Sequence, residues 1–139
     1  MMSMFKIFET AATGMSAQSL RLNLVSSNLA NADSVSSSID QTYRSRQAVF
    51  SAVLDHLNPD DAAVGVAVRG IVESQAPLVR EYAPGHAMAD EEGYIYRPNV
   101  NVVEEMANMI SASRAYQGNV EVINTAKKLM SATLQLGKG

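Results

Sequence analysis

Apolar residues recur every seven positions at both ends of the chain and lose that rhythm in the middle. Near the start, Phe8, Met15, Leu22 and Leu29 fall seven apart, with Phe5, Ala12, Ser19 and Ser26 as companions three residues earlier. Near the end, Val102, Met109, Tyr116, Ile123 and Met130 repeat the spacing, and Met106, Ser113, Val120, Lys127 and Leu134 take the second position. A seven-residue stripe stays on one side of a helix only when helices wind around one another, so each end asks for a partner helix. The first helix is expected over residues 3–31. The second is expected over 102–136, on the order of 50 Å long at 1.5 Å per residue. Asn101 stands three residues before Glu104, the spacing of an N-cap and its N3 partner. Glu104 and Glu105 suit the positive end of that helix dipole, and Lys127, Lys128 and Lys138 its negative end. Gly14 interrupts the first helix at a tolerated cost of about 1 kcal/mol.

Between the helices the signals change. Residues 33–40 (DSVSSSID) are too polar and serine-rich to pack and read as a linker. Residues 43–50 suit a strand or a short helix, and 63–73 alternate small β-branched residues around Gly65 and Gly70. Residues 78–82 follow Pro77 as another candidate strand, and 93–97 follow the acidic turn ADEEG as a third. A small antiparallel β unit results, too slight to be stable alone. The fold class is therefore mainly α with a small β unit (α+β), the two long helices pairing as an antiparallel coiled coil. Its divisions are an N-terminal helix over 1–33, a linker over 34–41, a β-containing middle over 42–98 and a C-terminal helix over 99–139. Reversing one seam against the other puts partners where residue numbers total about 135. That matches Leu29 with Met106, Leu22 with Ser113 and Met15 with Val120.

Composition narrows the function. The chain has 139 residues, 47% of them apolar but only 6% aromatic, so it lacks bulk for a large globular core and leaves most burial to the helices. A net charge of -3 with scattered basic residues argues against a nucleic-acid binder, and the absence of cysteine excludes disulfides and thiolate metal sites. No apolar run is long enough for a membrane span, and the first residues lack the order of a cleavable signal. There is no GxSxG, no phosphate-binding glycine loop and no HExxH. His56 and His86 read as loop histidines rather than zinc ligands, and Asp90, Glu91 and Glu92 ahead of Gly93 as a solvated turn rather than a calcium loop. No catalytic residue, cofactor or metal is expected.

The candidate functional surface is the helical seam itself: Phe8, Met15, Leu22 and Leu29 with Asn28 and Asn31 on the first helix, and Met106, Met109, Tyr116, Val120, Ile123, Met130 and Leu134 on the second. Small polar residues in or beside it, among them Ser16, Ser19, Ser26, Ser111, Ser113 and Asn119, thin the core of any two-helix pair. They let further helices approach, so bundling with neighbouring chains is expected.

The strings themselves resemble a known family. Residues 16–31 (SAQSLRLNLVSSNLAN) are similar to the N-terminal motif of the axial proteins of the bacterial flagellum, in which a leucine-containing helix ends in SxNLAN. Residues 99–106 (NVNVVEEM), 113–122 (SRAYQGNVEV), 124–137 (NTAKKLMSATLQLG) and 82–98 (YAPGHAMADEEGYIYRP) resemble the proximal rod branch of that family, which lacks the large central insertions of hook and filament proteins. The resemblance implies a structural subunit, not an enzyme, exported unprocessed by the flagellar type III apparatus into the rod that crosses the periplasm. The partners it implies are further copies of the chain, the rod proteins FlgB, FlgF and FlgG, and the adaptor FliE. The rival reading is a soluble regulatory or chaperone-like helical protein that uses the same seam for one partner. Open, repeating contacts mark the first and a closed complex the second.

Overall fold

The structure is a computed structural model and describes residues 4–54 and 64–139. Two helices bracket two β-hairpins in the order α1 (Met4–Ala30), β1 (Arg46–Val53), β2 (Gly65–Glu73), β3 (Val79–Tyr82), β4 (Tyr94–Arg97) and α2 (Val102–Gly137). Both helices stop where their side chains say they should. At the end of α1, the Asn31 amide and backbone N–H both donate to the Ser27 carbonyl, at 2.8 and 3.1 Å, turning the chain out of the helix. At the start of α2, Asn101 Oδ1 accepts the Glu104 N–H at 3.2 Å, satisfying one of the N–H groups a helix start leaves unpaired.

The helices run antiparallel: Gly14 of α1 lies against Asn119 of α2, and further along α1 the Arg21 guanidinium donates to Asn108 Oδ1 at 3.0 Å, nearer the start of α2. On its other sides α1 packs against β1 and β2. Thr13 makes one such joint, since its Oγ1 accepts the Val66 N–H at 3.1 Å.

The middle differs from the sequence reading in two ways. The single β unit is two separate antiparallel hairpins, β1 with β2 and β3 with β4. In the first, Arg46 faces Glu73 and Val53 faces Gly65, with an irregularity between Val49 and Phe50. In the second, Val79 faces Arg97 and Tyr82 faces Tyr94. Ile95 is its one fully covered large side chain, worth about 1.5–3 kcal/mol of burial. Short strands with turns between them offer no cue to which pairs share a sheet. Second, the serine-rich segment expected as a linker is pinned to the second hairpin at Ser36. Ser36 exchanges both backbone hydrogen bonds with Tyr96, at 3.0 and 2.9 Å, and Ser36, Thr42 and Ser45 are buried. Hydroxyls supply what apolar side chains do not: Ser36 Oγ donates to the Ser38 carbonyl at 3.2 Å and Thr42 Oγ1 to the same carbonyl at 2.6 Å. His56 and the start of the 63–73 segment lie outside the described residues.

Glycine is required at one turn. Gly93 has φ +87°, and a Cβ there would come within 3.0 Å of the Tyr82 ring. The Asp90 carboxylate closes this turn by accepting the Glu92 and Tyr94 N–H groups at 3.0 and 2.8 Å, which makes the acidic stretch a turn device.

Candidate assembly interface

The buried positions of the two helices are mostly small residues. Ala11, Ala17, Val25 and Asn28 are buried on α1, and Glu105, Ala112 and Ala126 on α2. Ala112 is wholly enclosed. Glycine at position 14 belongs to this set, because a Cβ there would meet Asn119 Nδ2 at 2.8 Å. What reads in the sequence as a tolerated helix cost is a point of close approach between the helices.

The seam residues named from the sequence stand beside this line rather than on it. Phe8, Met15, Leu22 and Leu29 on α1, and Met109, Tyr116, Ile123 and Met130 on α2, are half-buried along its edges. Asn28 is buried and Asn31 half-buried. Ser113 and Val120 are half-buried, but Met106 and Leu134 are 55% and 63% exposed, and Phe5 is 77% exposed. The inner row of α2 runs one residue earlier, through Glu105, Ala112, Asn119 and Ala126. The facing pair expected at Met15 and Val120 is correspondingly found at Gly14 and Asn119. The reason is steric. Large side chains mark the stripe most visibly in a sequence, whereas close-approaching backbones select the smallest residues for the line of contact, which the large ones then flank.

Asparagines fix the hairpins to the helices. Asn28, 1% exposed, behaves as a substitute strand: Oδ1 accepts the Arg46 N–H at 2.9 Å while Nδ2 donates to the Arg46 carbonyl at 2.9 Å. The Tyr43 hydroxyl donates to the same Oδ1 at 2.7 Å. Asn99 does likewise before α2, its Oδ1 accepting the Ser45 N–H at 2.8 Å and its Nδ2 donating to the Ser74 and Ala76 carbonyls at 3.1 and 2.9 Å. The NLAN motif points to Asn28; nothing in the local pattern singles out Asn99.

The outer side of α2 leaves large apolar side chains uncovered among its polar ones. Val103, Met106 and Ile110 are exposed near its start, and Val122, Leu129 and Leu136 near its end. At about 100° per residue these two groups are centred roughly 100° apart around α2, the first pointing away from α1 and the second to one side, so α2 offers two apolar flanks. Among the described residues no group of three His, Cys, Asp or Glu side chains gathers to hold a metal, and no helix is long and apolar enough to cross a membrane. His86 Nδ1 accepts the Met88 N–H at 3.0 Å, part of a turn.

Both helical ends match models of flagellar families. Residues 8–36 match the flagella basal body rod protein family, and residues 91–136 match the C-terminal family of flagellar basal body rod FlgEFG proteins. The chain is 49% identical to the flagellar basal-body rod protein FlgC of Salmonella typhimurium over 137 residues, covering 99% of the chain and all of that protein. It belongs to the FlgC family of flagellar basal-body rod proteins. The FlgC proteins of Escherichia coli O6:H1 and Borreliella burgdorferi are 50% and 35% identical to it, over 137 and 153 residues, again across 99% of the chain. The first family model covers most of α1 and the start of the serine-rich segment after it. The second covers β4 and nearly all of α2, so the matched stretches contain both sides of the helical seam.

Proposed function

We propose that this chain is a structural, non-catalytic subunit of the flagellar basal-body rod, held among its neighbours through the outer face of its helical pair. The observation that carries this reading is the exposed apolar flank of α2. Val103, Met106, Ile110, Val122, Leu129 and Leu136 lie open to water on one helix of a 139-residue chain, and a soluble monomer rarely leaves so much apolar helix uncovered. Family membership supplies the assembly in which such a face is covered. In it the paired helices form part of a stiff wall surrounding the export channel, and the hairpins project from it to contact adjoining subunits. The neighbours are further copies of the chain, the rod proteins FlgB, FlgF and FlgG, and the adaptor FliE, with delivery to the periplasmic rod by the flagellar type III export apparatus.

The test is replacement. Introduced into a Salmonella typhimurium strain lacking its own FlgC, the chain restores swimming and is recovered in purified basal bodies. Ile110→Asp and Leu129→Asp variants, which change only exposed positions, accumulate as folded protein but do not enter basal bodies. Recovery of the chain only as a closed cytoplasmic complex, or full swimming with both Asp variants, contradicts the reading.

A further inference from the structure

A cleft of about 280 Å³ opens between α2 and β1 over α1, with Leu24, Val25, Ala48 and Phe50 among its walls and Glu104 and Glu105 on its α2 side. Glu105 is the anomaly. It is 3% exposed, and its Oε2 has no hydrogen-bond partner. A carboxylate held out of water without a donor is heavily penalised, so native folds pair such groups. The two basic residues of the cleft are already engaged: Arg21 donates to Asn108, and Arg46 lies 3.4 Å from Glu73 and over the Tyr43 ring. The cleft thus has an unused acceptor, a second carboxylate beside it and space for far more than the ~30 Å³ of one water.

The same helix carries the complementary charge at its other end. Beyond Glu121 the ionisable side chains of α2 are Lys127 and Lys128, with Lys138 as its C-cap, and all three are exposed without an ion pair among the described residues. At about 100° per residue, Lys128 lies roughly 120° around α2 from Glu104, turned away from the cleft. A donor patch and an acceptor patch at different places on one molecule make a head-to-tail contact, which can repeat from subunit to subunit as a ring or an open helix. We infer that the Glu105 cleft receives Lys128 from a second copy of this chain, forming an ion pair that exists only between assembled subunits. The inference rests on the rod-subunit reading and adds the contact that joins like subunits.

The experiment uses full-length chain in cells lacking FlgC, followed by isolation of basal bodies. Glu105→Gln leaves the thermal midpoint of the purified subunit unchanged or raised, and lowers incorporation into basal bodies at least about ten-fold. Lys128→Gln, at an exposed position that does not threaten folding, gives the same loss, and the double variant loses no more than either alone, as coupled partners do. In basal bodies carrying Glu104→Cys and Lys128→Cys together, a short bismaleimide yields a product of twice the chain's mass. A lowered midpoint for Glu105→Gln, wild-type incorporation of either single variant, or a crosslink to a different protein overturns the inference. If the unsubstituted chain is absent from basal bodies, the rod reading fails; if it is present and the doubled product is not, only the Glu105–Lys128 contact fails.

Discussion

The two long helices are built for opposite purposes. α1 is enclosed on several sides, by α2, β1 and β2, and its large apolar residues after Phe5 are at least half-covered. α2 meets one element, α1, along a narrow line of small residues, and of its 36 residues three are buried. An internal spine needs partners within the chain. A helix used on one side implies partners outside it.

The largest effects should therefore come from the line where the helices touch. Ala112→Asp places an unpaired carboxylate at a wholly enclosed position, at a cost of about 3–5 kcal/mol, and denaturant titration should find this subunit unfolded or nearly so. By contrast, Ile110→Asp should leave the unfolding midpoint of the isolated subunit within about 0.5 kcal/mol of the original. Equal destabilisation by both changes would erase the distinction between the helices.

Next in size is the joint between α1 and the first hairpin. Asn28→Ala strands the Arg46 N–H and carbonyl at once, and a loss of about 3 kcal/mol is expected, at the upper end of what an unsatisfied buried group costs. Asn28→Asp keeps the acceptor for the Arg46 N–H but loses the donor, so it should fall between Ala and the original in the same titration.

Gly14→Ala sharpens the comparison further. On an open helix face the change would gain about 1 kcal/mol of helix propensity, whereas here the new methyl meets the Asn119 amide. A net loss of about 1 kcal/mol is expected, since overpacking at such contacts costs about 1–3 kcal/mol. Truncating Asn119 to Ala in the same molecule should relieve it. A gain in stability from Gly14→Ala alone would mean that the helices do not approach this closely. Smallest of all, His86→Ala and Glu92→Ala should leave swimming intact and stability within about 1 kcal/mol, since the first alters an exposed turn and the second an exposed ion pair with Arg80.

The helices were legible from the sequence because their signals are local. Residues 3–31 and 102–136 become Met4–Ala30 and Val102–Gly137 among the described residues, and Asn101 caps as its spacing indicates. The phase of the contact was not legible. Leu22 and Met109 advertise a stripe, but the line of contact belongs to Ala11, Gly14, Ala112 and Asn119, whose smallness registers in a hydrophobic pattern as weakness. Ser36 and Thr42 escaped for a related reason: they are buried by hydrogen bonds to backbone, and polarity alone predicts exposure. Glu105 reads as a favourable charge at a helix N-terminus, and nothing in the chain's order shows that folding carries it under the surface.

The most direct measurement exploits the absence of cysteine from the chain. Single cysteines at positions 110 and 129, one on each apolar flank of α2, would be treated with a maleimide in the purified subunit and in intact basal bodies. Both should react fast in the free subunit and be protected in the basal body. Equal reactivity in the two states at both positions would contradict the claim that α2 is completed by its neighbours.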